Sequence, residues 1–323
     1  MKYRALGNTG LEVSEIGFGA WGIGGRTDGA TSYGETEDAV SERALATAID
    51  VGINFFDTSN VYGYGRSERL IGKVFQGCRD RLVIATKAGI KTWDAQSDFS
   101  PDALRASLEG SLARLKTDYV DLLQLHNPTL DELRERPEIV ESLRDFISEG
   151  KIRAFGASMK SPVEGVVATR DFGFQTVQVN LNMMDVRAVE CGLADNDLDL
   201  GRPVIARTPL SFGFLSGRVD RDTVFPDGDH RAAWTSEQIA RWVDGANELS
   251  AAINSVNDGE TRTQTALRYC LSHSGVATVI PGMLKEEEVI ENSAASMLAP
   301  ITLAELDAIL EINRQTNFFV AKS

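Results

Sequence analysis

Eight short apolar runs recur along this chain, and longer stretches with helical periodicity lie between them. The runs are Ile16–Gly19, Ile53–Asp57, Leu82–Lys87, Val120–His126, Ile152–Ser158, Thr176–Asn182, Pro203–Arg207 and Thr278–Gly282. Between them, Glu37–Val51, Pro101–Lys116, Glu138–Glu149 and Glu237–Val256 carry apolar residues at spacings of three and four. Ser100-Pro101-Asp102 reads as an N-cap, a first-turn proline and a first-turn acid, and Gly150 as a helix stop. Strands that alternate with helices pair in parallel, because a parallel partner is reached only through a crossover. With no linker-like stretch between halves, the pattern predicts one domain over residues 1–323, a closed (β/α)8 barrel. An open doubly wound sheet is the competing arrangement. Ahead of the first run, Tyr3–Leu6, a Gly-Asn-Thr-Gly turn and Leu11–Val13 predict a β-hairpin.

The polar residues favour the barrel. Asp57, Lys87, His126, Ser158 and Arg207 each end a different run, and Gln178 and Asn180 lie within the sixth. In a barrel those ends converge on one rim, where such folds keep their chemistry. Gly17-Phe18-Gly19-Ala20-Trp21-Gly22 matches the G-x-G-x-x-G dinucleotide pattern, but that pattern works only where a helix starts inside it. Here no helical pattern begins before about Thr36, so these glycines are expected to form a flexible loop.

Composition narrows the partners. Lys and Arg number 33 against 47 Asp and Glu, a net charge of −14. Without a basic run the chain is not expected to bind nucleic acid or an anionic membrane surface. The N-terminus has no signal-peptide core and no apolar stretch reaches spanning length, so a cytoplasmic location is expected. Cys78, Cys191 and Cys270 are far apart and odd in number, and are expected to be reduced packing residues. His230 and His273 are expected at the surface or in helix packing.

Asp57 and Lys87 end consecutive strands, and Tyr62 follows five residues after Asp57. A buried ion pair explains the first two without function. With Tyr62 added, the ammonium favours the phenolate and should bring the phenol below its ordinary value near ~10. His126 could hydrogen-bond a substrate oxygen or the phenol. The group is then a proton donor for a carbonyl oxygen that gains charge as its carbon is attacked. No metal-ligand cluster and no activated Ser or Cys is visible, so the attacking group should come from a cofactor, most simply hydride from a nicotinamide.

Asp57-Thr58-Ser59-Asn60-Val61-Tyr62-Gly63-Tyr64-Gly65-Arg66-Ser67-Glu68 resembles the signature of the aldo-keto reductase superfamily. Leu6–Leu11, Thr86-Lys87, Leu122–Pro128, Val279-Ile280-Pro281-Gly282 and Glu291-Asn292 fit the same family in the same order. The resemblance implies a (β/α)8 barrel binding an extended NADP(H), with Tyr62 as general acid. It further implies that Lys87 and Asp57 tune Tyr62, that His126 orients the carbonyl, and that Trp21 lines the substrate pocket. Trp93 and Phe99, in the loop after Lys87, are candidates for the pocket or for loop packing. Phe318-Phe319 would lie near the barrel mouth or tuck under a helix.

The departures from the family pattern bear on the cofactor. Ser158-Met159 stands where Ser-Asn usually holds the carboxamide, leaving that contact to Ser158 and Gln178. Aligning Ala206–Leu210 puts Arg207 where a tyrosine commonly stacks on the nicotinamide; a guanidinium there would repel an oxidised, cationic ring, so Arg207 is expected to bind a substrate anion or a cofactor phosphate and to disfavour tight NADP⁺ binding. Phe212–Arg218 resembles the segment that folds over the diphosphate, with Gly217 permitting close approach and Arg218 either pairing a phosphate or standing as a solvated surface arginine. Leu284-Lys285-Glu286-Glu287-Glu288 stands at the 2′-phosphate position; Lys285 suits the phosphate and the acids suit either a first turn or NADH. The expected cofactor is NADPH, with NADH open, and the expected substrate a small carbonyl compound. An oxidative sugar or polyol dehydrogenase and a cofactor-sensing ancillary subunit are the alternatives.

Overall fold

The computed structural model describes residues 1–27, 32–195, 200–201 and 203–318. An antiparallel hairpin, β1 (Tyr3–Ala5) and β2 (Glu12–Ser14), precedes eight parallel strands. These are β3 (Phe18–Gly19), β4 (Phe55–Asp57), β5 (Val83–Ala88), β6 (Val120–His126), β7 (Ile152–Ser158), β8 (Thr176–Asn180), β9 (Val204–Arg207) and β10 (Val276–Ile280). Each pairs with its sequence neighbour, so the order is 3-4-5-6-7-8-9-10. Around them run α1 (Asp38–Asp50), α2 (Arg66–Val74), α3 (Pro101–Leu115), α4 (Leu130–Glu135), α5 (Glu138–Ser148) and α6 (Pro162–Phe172). The rest are α7 (Arg187–Glu190), α8 (Ser236–Ala251), α9 (Arg262–Leu271), α10 (Glu286–Ala294) and α11 (Leu303–Gln315). No described helix is long and apolar enough to cross a membrane.

The sheet closes between β3 and β10. Gly17 N–H donates to Val279 O (2.8 Å), Gly19 N–H to Pro281 O (3.0 Å), and Val279 N–H to Glu15 O (2.8 Å). A Cβ on Gly19 would lie 2.7 Å from Ile280 O and 2.8 Å from Pro281 O. The paired glycines thus belong to the closing seam at the end of the first barrel run, and the loop expected after it opens with a 3-10 turn at Gly22–Gly24. Gly24, further along, lets the chain pass against the Tyr62–Gly63 backbone, where a Cβ would sit 2.8 Å from two backbone atoms.

Alternation along each strand separates two cores. Phe55, Val83, Ala85, Leu122, Ala154, Ile205 and Ala277 fill the barrel interior together with Leu6, Leu11 and Val13 of the hairpin, which plugs the bottom. Phe56, Ile84, Leu123, Phe155 and Ala206 point outward against the helices. Continuing the inward series by two residues reaches Asp57, Lys87, Gln124 and Arg207, and by two more from Gln124 reaches His126. The site therefore lies on the interior face, one layer above the apolar plug.

The helices start where the sequence signals predict. Ser100 caps α3 with Pro101 in its first turn, and Thr129, Thr261 and Thr302 form capping boxes with Glu132, Gln264 and Glu305. Cys78 and Cys270 are buried free thiols and Cys191 is half-buried and free. Phe318 packs on Gly245 of α8 and its carbonyl accepts from Gln238, so it tucks against that helix; Phe319 lies outside the described residues.

One buried carboxylate ties the layers together. Glu68 on α2 accepts from Thr86 Oγ1 of β5 (2.6 Å) and from Arg114 Nε of α3 (2.6 Å). Glu68→Ala leaves Thr86 unpaired in the core and is expected to cost about 2–3 kcal/mol, read as a lower urea midpoint at unchanged slope.

Candidate active site

Lys87 reaches the rim fully buried, with its three donors all used. Nζ donates to Asp57 Oδ1 (2.5 Å), Thr58 O (2.9 Å) and Tyr62 Oη (3.2 Å). Because Tyr62 accepts from Lys87, its own hydroxyl proton is free to point into the cleft. The remaining Asp57 oxygen, Oδ2, accepts from Gln124 Nε2 (2.8 Å) and Gln178 Nε2 (2.7 Å). Gln178 Oε1 accepts from Ser158 Oγ (3.3 Å), and Ser158 Oγ accepts from Arg207 Nη1 (3.1 Å). A continuous polar chain thus runs from Tyr62 through Lys87, Asp57, Gln178 and Ser158 to Arg207.

His126 stands beside this chain. Its ring meets Tyr62 edge-on at 6.4 Å and Trp93 at 6.0 Å, and Trp93 stacks on Tyr62 at 6.1 Å. The buried Nδ1 of His126 has no hydrogen-bond partner, nor does the buried Nε of Arg207.

The electrostatics differ in one respect from the sequence expectation. Burial raises Tyr62 above the ordinary phenol value, and the opposing Lys87 charge does not outweigh it. Sequence spacing shows the ammonium but not the depth at which the phenol sits. Burial alone would lower Lys87, yet the Asp57 carboxylate and Tyr62 carry it upward, so the ammonium persists. Burial, then the charges of Lys87, Arg207 and Lys160, hold His126 well below its usual value, as a neutral imidazole. Burial also lowers Arg207. At neutral pH the site is therefore a protonated phenol and a neutral imidazole beside an ion pair.

These residues border a cleft of about 760 Å3. Its wall includes Asp57, Tyr62 and His126 at one end, with Trp21 and Trp93 beside them, and then Gln178, Arg207 and Leu210. Toward the other end lie Arg218, Gly282, Glu288, Glu291 and Asn292. Ser158, Gly217 and Lys285 are not on this wall. Ser158 lies behind Gln178 and Arg207, Gly217 abuts Arg262, and Lys285 is exposed. Arg218 pairs with Glu291. Glu288 accepts from the backbone N–H of Leu284 (2.7 Å) and Lys285 (3.3 Å), while Glu286 pairs with Arg43 (2.9 Å), so two of the three acids serve the helix start and its surface.

Sequence reasoning missed Gln124 and an aromatic cluster on the rim. Gln124 is the polar residue in the middle of an apolar strand, a signal that was available. The cluster packs Trp21, Tyr33, Phe212 and Trp234 around His230, which opens a short 3-10 helix (His230–Ala233) on the rim. Asp229 holds Arg231 (2.7 Å) beneath it, and His230 N–H donates to Ser32 O (2.9 Å), joining the loops after β3 and β9. Burial pushes Tyr33 up to about 12. Phe99 is buried against Gly89 and packs the loop, away from the cleft. His273 is buried on Asp195 (2.7 Å). Among the described residues no group of three His, Cys, Asp or Glu could hold a metal ion.

The described chain matches known proteins along nearly its whole length. The model of the "Aldo/keto reductase family" covers residues 15–314. L-galactose dehydrogenase of Arabidopsis thaliana is 31% identical over 96% of this chain and 95% of its own. Aldo-keto reductase YhdN of Bacillus subtilis is 30% identical over 88% and 86%. The solved holo form of aldo-keto reductase AKR11C1 from Bacillus halodurans superposes with a TM-score of 0.76 at 26% identity, over 97% and 96% of the two chains.

His126 also gives the fold a pH signature. Its pKa is depressed in the folded state, so the unfolded chain binds the extra proton first as pH falls through about 6.5. Stability from this group is full above that value and is lost below it. The urea midpoint of wild type should drop further between pH 7.5 and pH 5.5 than that of His126→Gln, and equal drops would refute the assignment.

Proposed function

This chain belongs to the aldo/keto reductase family of oxidoreductases, and we propose that it reduces small aldehydes or ketones to alcohols with NADPH. The observation that carries this reading is the Tyr62 hydroxyl, which accepts from a saturated Lys87 and keeps its own proton for a ligand. The wall suits a nicotinamide dinucleotide. Gly282 presents bare backbone, with nothing within 4 Å of where a Cβ would stand, and buried atoms of His126 and Arg207 lack partners. A cleft of about 760 Å3 is also in the range of cofactor sites.

We assign Gln178, backed by Ser158, to the carboxamide, and Leu210 and Arg218, with Gly217 turning the chain between them, to the segment over the diphosphate. Gly282, Lys285, Glu288, Glu291 and Asn292 form the adenosine end. With Glu286 and Glu288 engaged elsewhere, Lys285 is the exposed cation at that end, which favours NADPH over NADH. Trp21 and Trp93 form the substrate side. An acidic chain without a basic patch fits a cytoplasmic enzyme of small molecules.

The cofactor supplies the hydride that reduces the carbonyl carbon. Neutral His126 orients the carbonyl oxygen, and Tyr62 gives that oxygen its proton as charge develops on it. Lys87 stabilises the phenolate left behind, and Asp57 holds the ammonium in place. Trp93 over the phenol excludes water.

Alcohol oxidation needs Tyr62 as phenolate. The likeness to L-galactose dehydrogenase supports a second reading, a sugar or polyol oxidation. The raised phenol favours reduction at neutral pH, and oxidation is expected to gain as pH rises. The complete relay from Tyr62 to Asp57 argues for turnover rather than a cofactor-sensing subunit.

The test is oxidation of NADPH and NADH, followed at the dihydronicotinamide absorbance, with a panel of aldehydes and ketones. Tyr62→Phe should lower kcat about 10²–10⁴-fold with cofactor affinity retained. Reduction should persist through neutral pH and decline only above the ordinary phenol value of about 10. Undiminished turnover in Tyr62→Phe would mean another acid serves.

A further inference from the structure

We propose that Gln124 is a positioning residue for Tyr62: from behind the cleft it holds the Asp57 carboxylate in the one orientation that leaves a Lys87 donor for the phenol. The inference rests on the reading of Tyr62 as the proton donor, and its test needs neither cofactor nor substrate.

Gln124 is a polar side chain with no access to the cleft. It stands in the middle of β6, opposite Lys87 in register, fully buried and one inward step above the apolar Leu122. Asp57 and Gln178 border the cleft, but Gln124 does not. Its amide is engaged inside the protein. Nε2 donates to Asp57 Oδ2 (2.8 Å), and Oε1 accepts from Gln178 Nε2 (3.2 Å), which also donates to Asp57 Oδ2 (2.7 Å). A carboxylate only accepts, so both amides must turn their nitrogens toward it. The triangle then closes with Gln124 Oε1 taking the second Gln178 proton. A ligand in the cleft can draw on Gln178. It cannot draw on Gln124, which is therefore the anchor of Oδ2 that holds whether or not the cleft is filled.

The effect on Tyr62 runs through Lys87. Its three protons meet three acceptors, Asp57 Oδ1 at 2.5 Å, Thr58 O at 2.9 Å and Tyr62 Oη at 3.2 Å. The bond to Tyr62 is the longest, and a fourth acceptor would take that proton first. Asp57 Oδ2 is such an acceptor once released, because a carboxylate that turns can present both oxygens to one ammonium. Amide donors on Oδ2 oppose the turn. They also disperse the carboxylate charge, whose field opposes ionisation of the phenol. Both effects have one sign. Without Gln124 the phenolate loses support, and Tyr62 gives up its proton less readily.

The experiment replaces tyrosine throughout by 3-fluorotyrosine, whose phenol ionises at lower pH, and follows each fluorine resonance against pH. Wild type, Gln124→Met and Gln124→Leu are compared, with the Tyr62 line assigned by its loss in Tyr62→Phe and folding checked by circular dichroism. The ionisation constant read from the Tyr62 line should fall about threefold to tenfold in both variants, while the other tyrosine lines stay in place. Methionine keeps the length and flexibility of glutamine without its donor, so a role in packing alone would leave Gln124→Met like wild type. An unmoved Tyr62 line in that variant would overturn the proposal.

A second measurement needs no variant to fold. In wild type the side-chain amide protons of Gln124 should exchange with solvent about a hundredfold more slowly than those of exposed Gln96, before and after NADPH is added. Exchange as fast as at Gln96 would overturn the proposal. Both readouts are separate from NADPH oxidation. A shifted Tyr62 line in an enzyme that turns over no carbonyl compound would uphold the positioning role and sink the reductase reading, and turnover with an unshifted line would do the reverse.

Discussion

An ammonium can sit at about 1% exposure in the mouth of this barrel only because Asp57 meets it at 2.5 Å and a carbonyl and a phenol take its other protons. An isolated charge at that depth would be too costly to keep. The pair fixes the Lys87 side chain, the fixed side chain fixes the hydrogen bond to Tyr62, and that bond decides which way the phenol proton points. Asp57 in turn is held by two amides from β6 and β8. The chemistry at the rim thus depends on one contact between neighbouring strands β4 and β5, and the barrel brings the other partners within reach.

Much of this was legible in the sequence, for a physical reason. Parallel strands covered on both faces read as short apolar runs, and eight of them with crossovers leave few ways to close. The polar residues that end those runs stand out because the strand positions below them on the inward face are apolar. Asp57, Lys87 and His126 could be found this way from one sequence, and all of them face the mouth of the barrel. Tyr62 lies on a loop, where no periodicity points to it, and was found through its short separation from Asp57 and the motif around it.

What was not legible depends on depth and on contacts far apart in the chain. Burial sets the direction of the Tyr62 shift, and a sequence shows which charges are near but not how little water is. The aromatic cluster around His230 joins residues some two hundred positions apart, from Trp21 to Trp234, so no local pattern could announce it. The Gly17–Gly19 pair is ambiguous in a different way. Glycine is needed wherever backbone meets backbone closely, and a sequence does not say whether the neighbour is a phosphate or another strand. Here it is β10.

The polar chain from Tyr62 to Arg207 takes side chains from β4, β5, β7, β8 and β9, and Gln124 adds β6. Six of the eight strands are therefore laced together at one height, like a hoop around a cask. Each member is both donor and acceptor for its neighbours, or holds one that is, so the worth of any one bond depends on the others being made. Single replacements around the hoop will not add. A lineage that drifted toward another chemistry at this rim would have to change several strands together, and the first step would be the hardest.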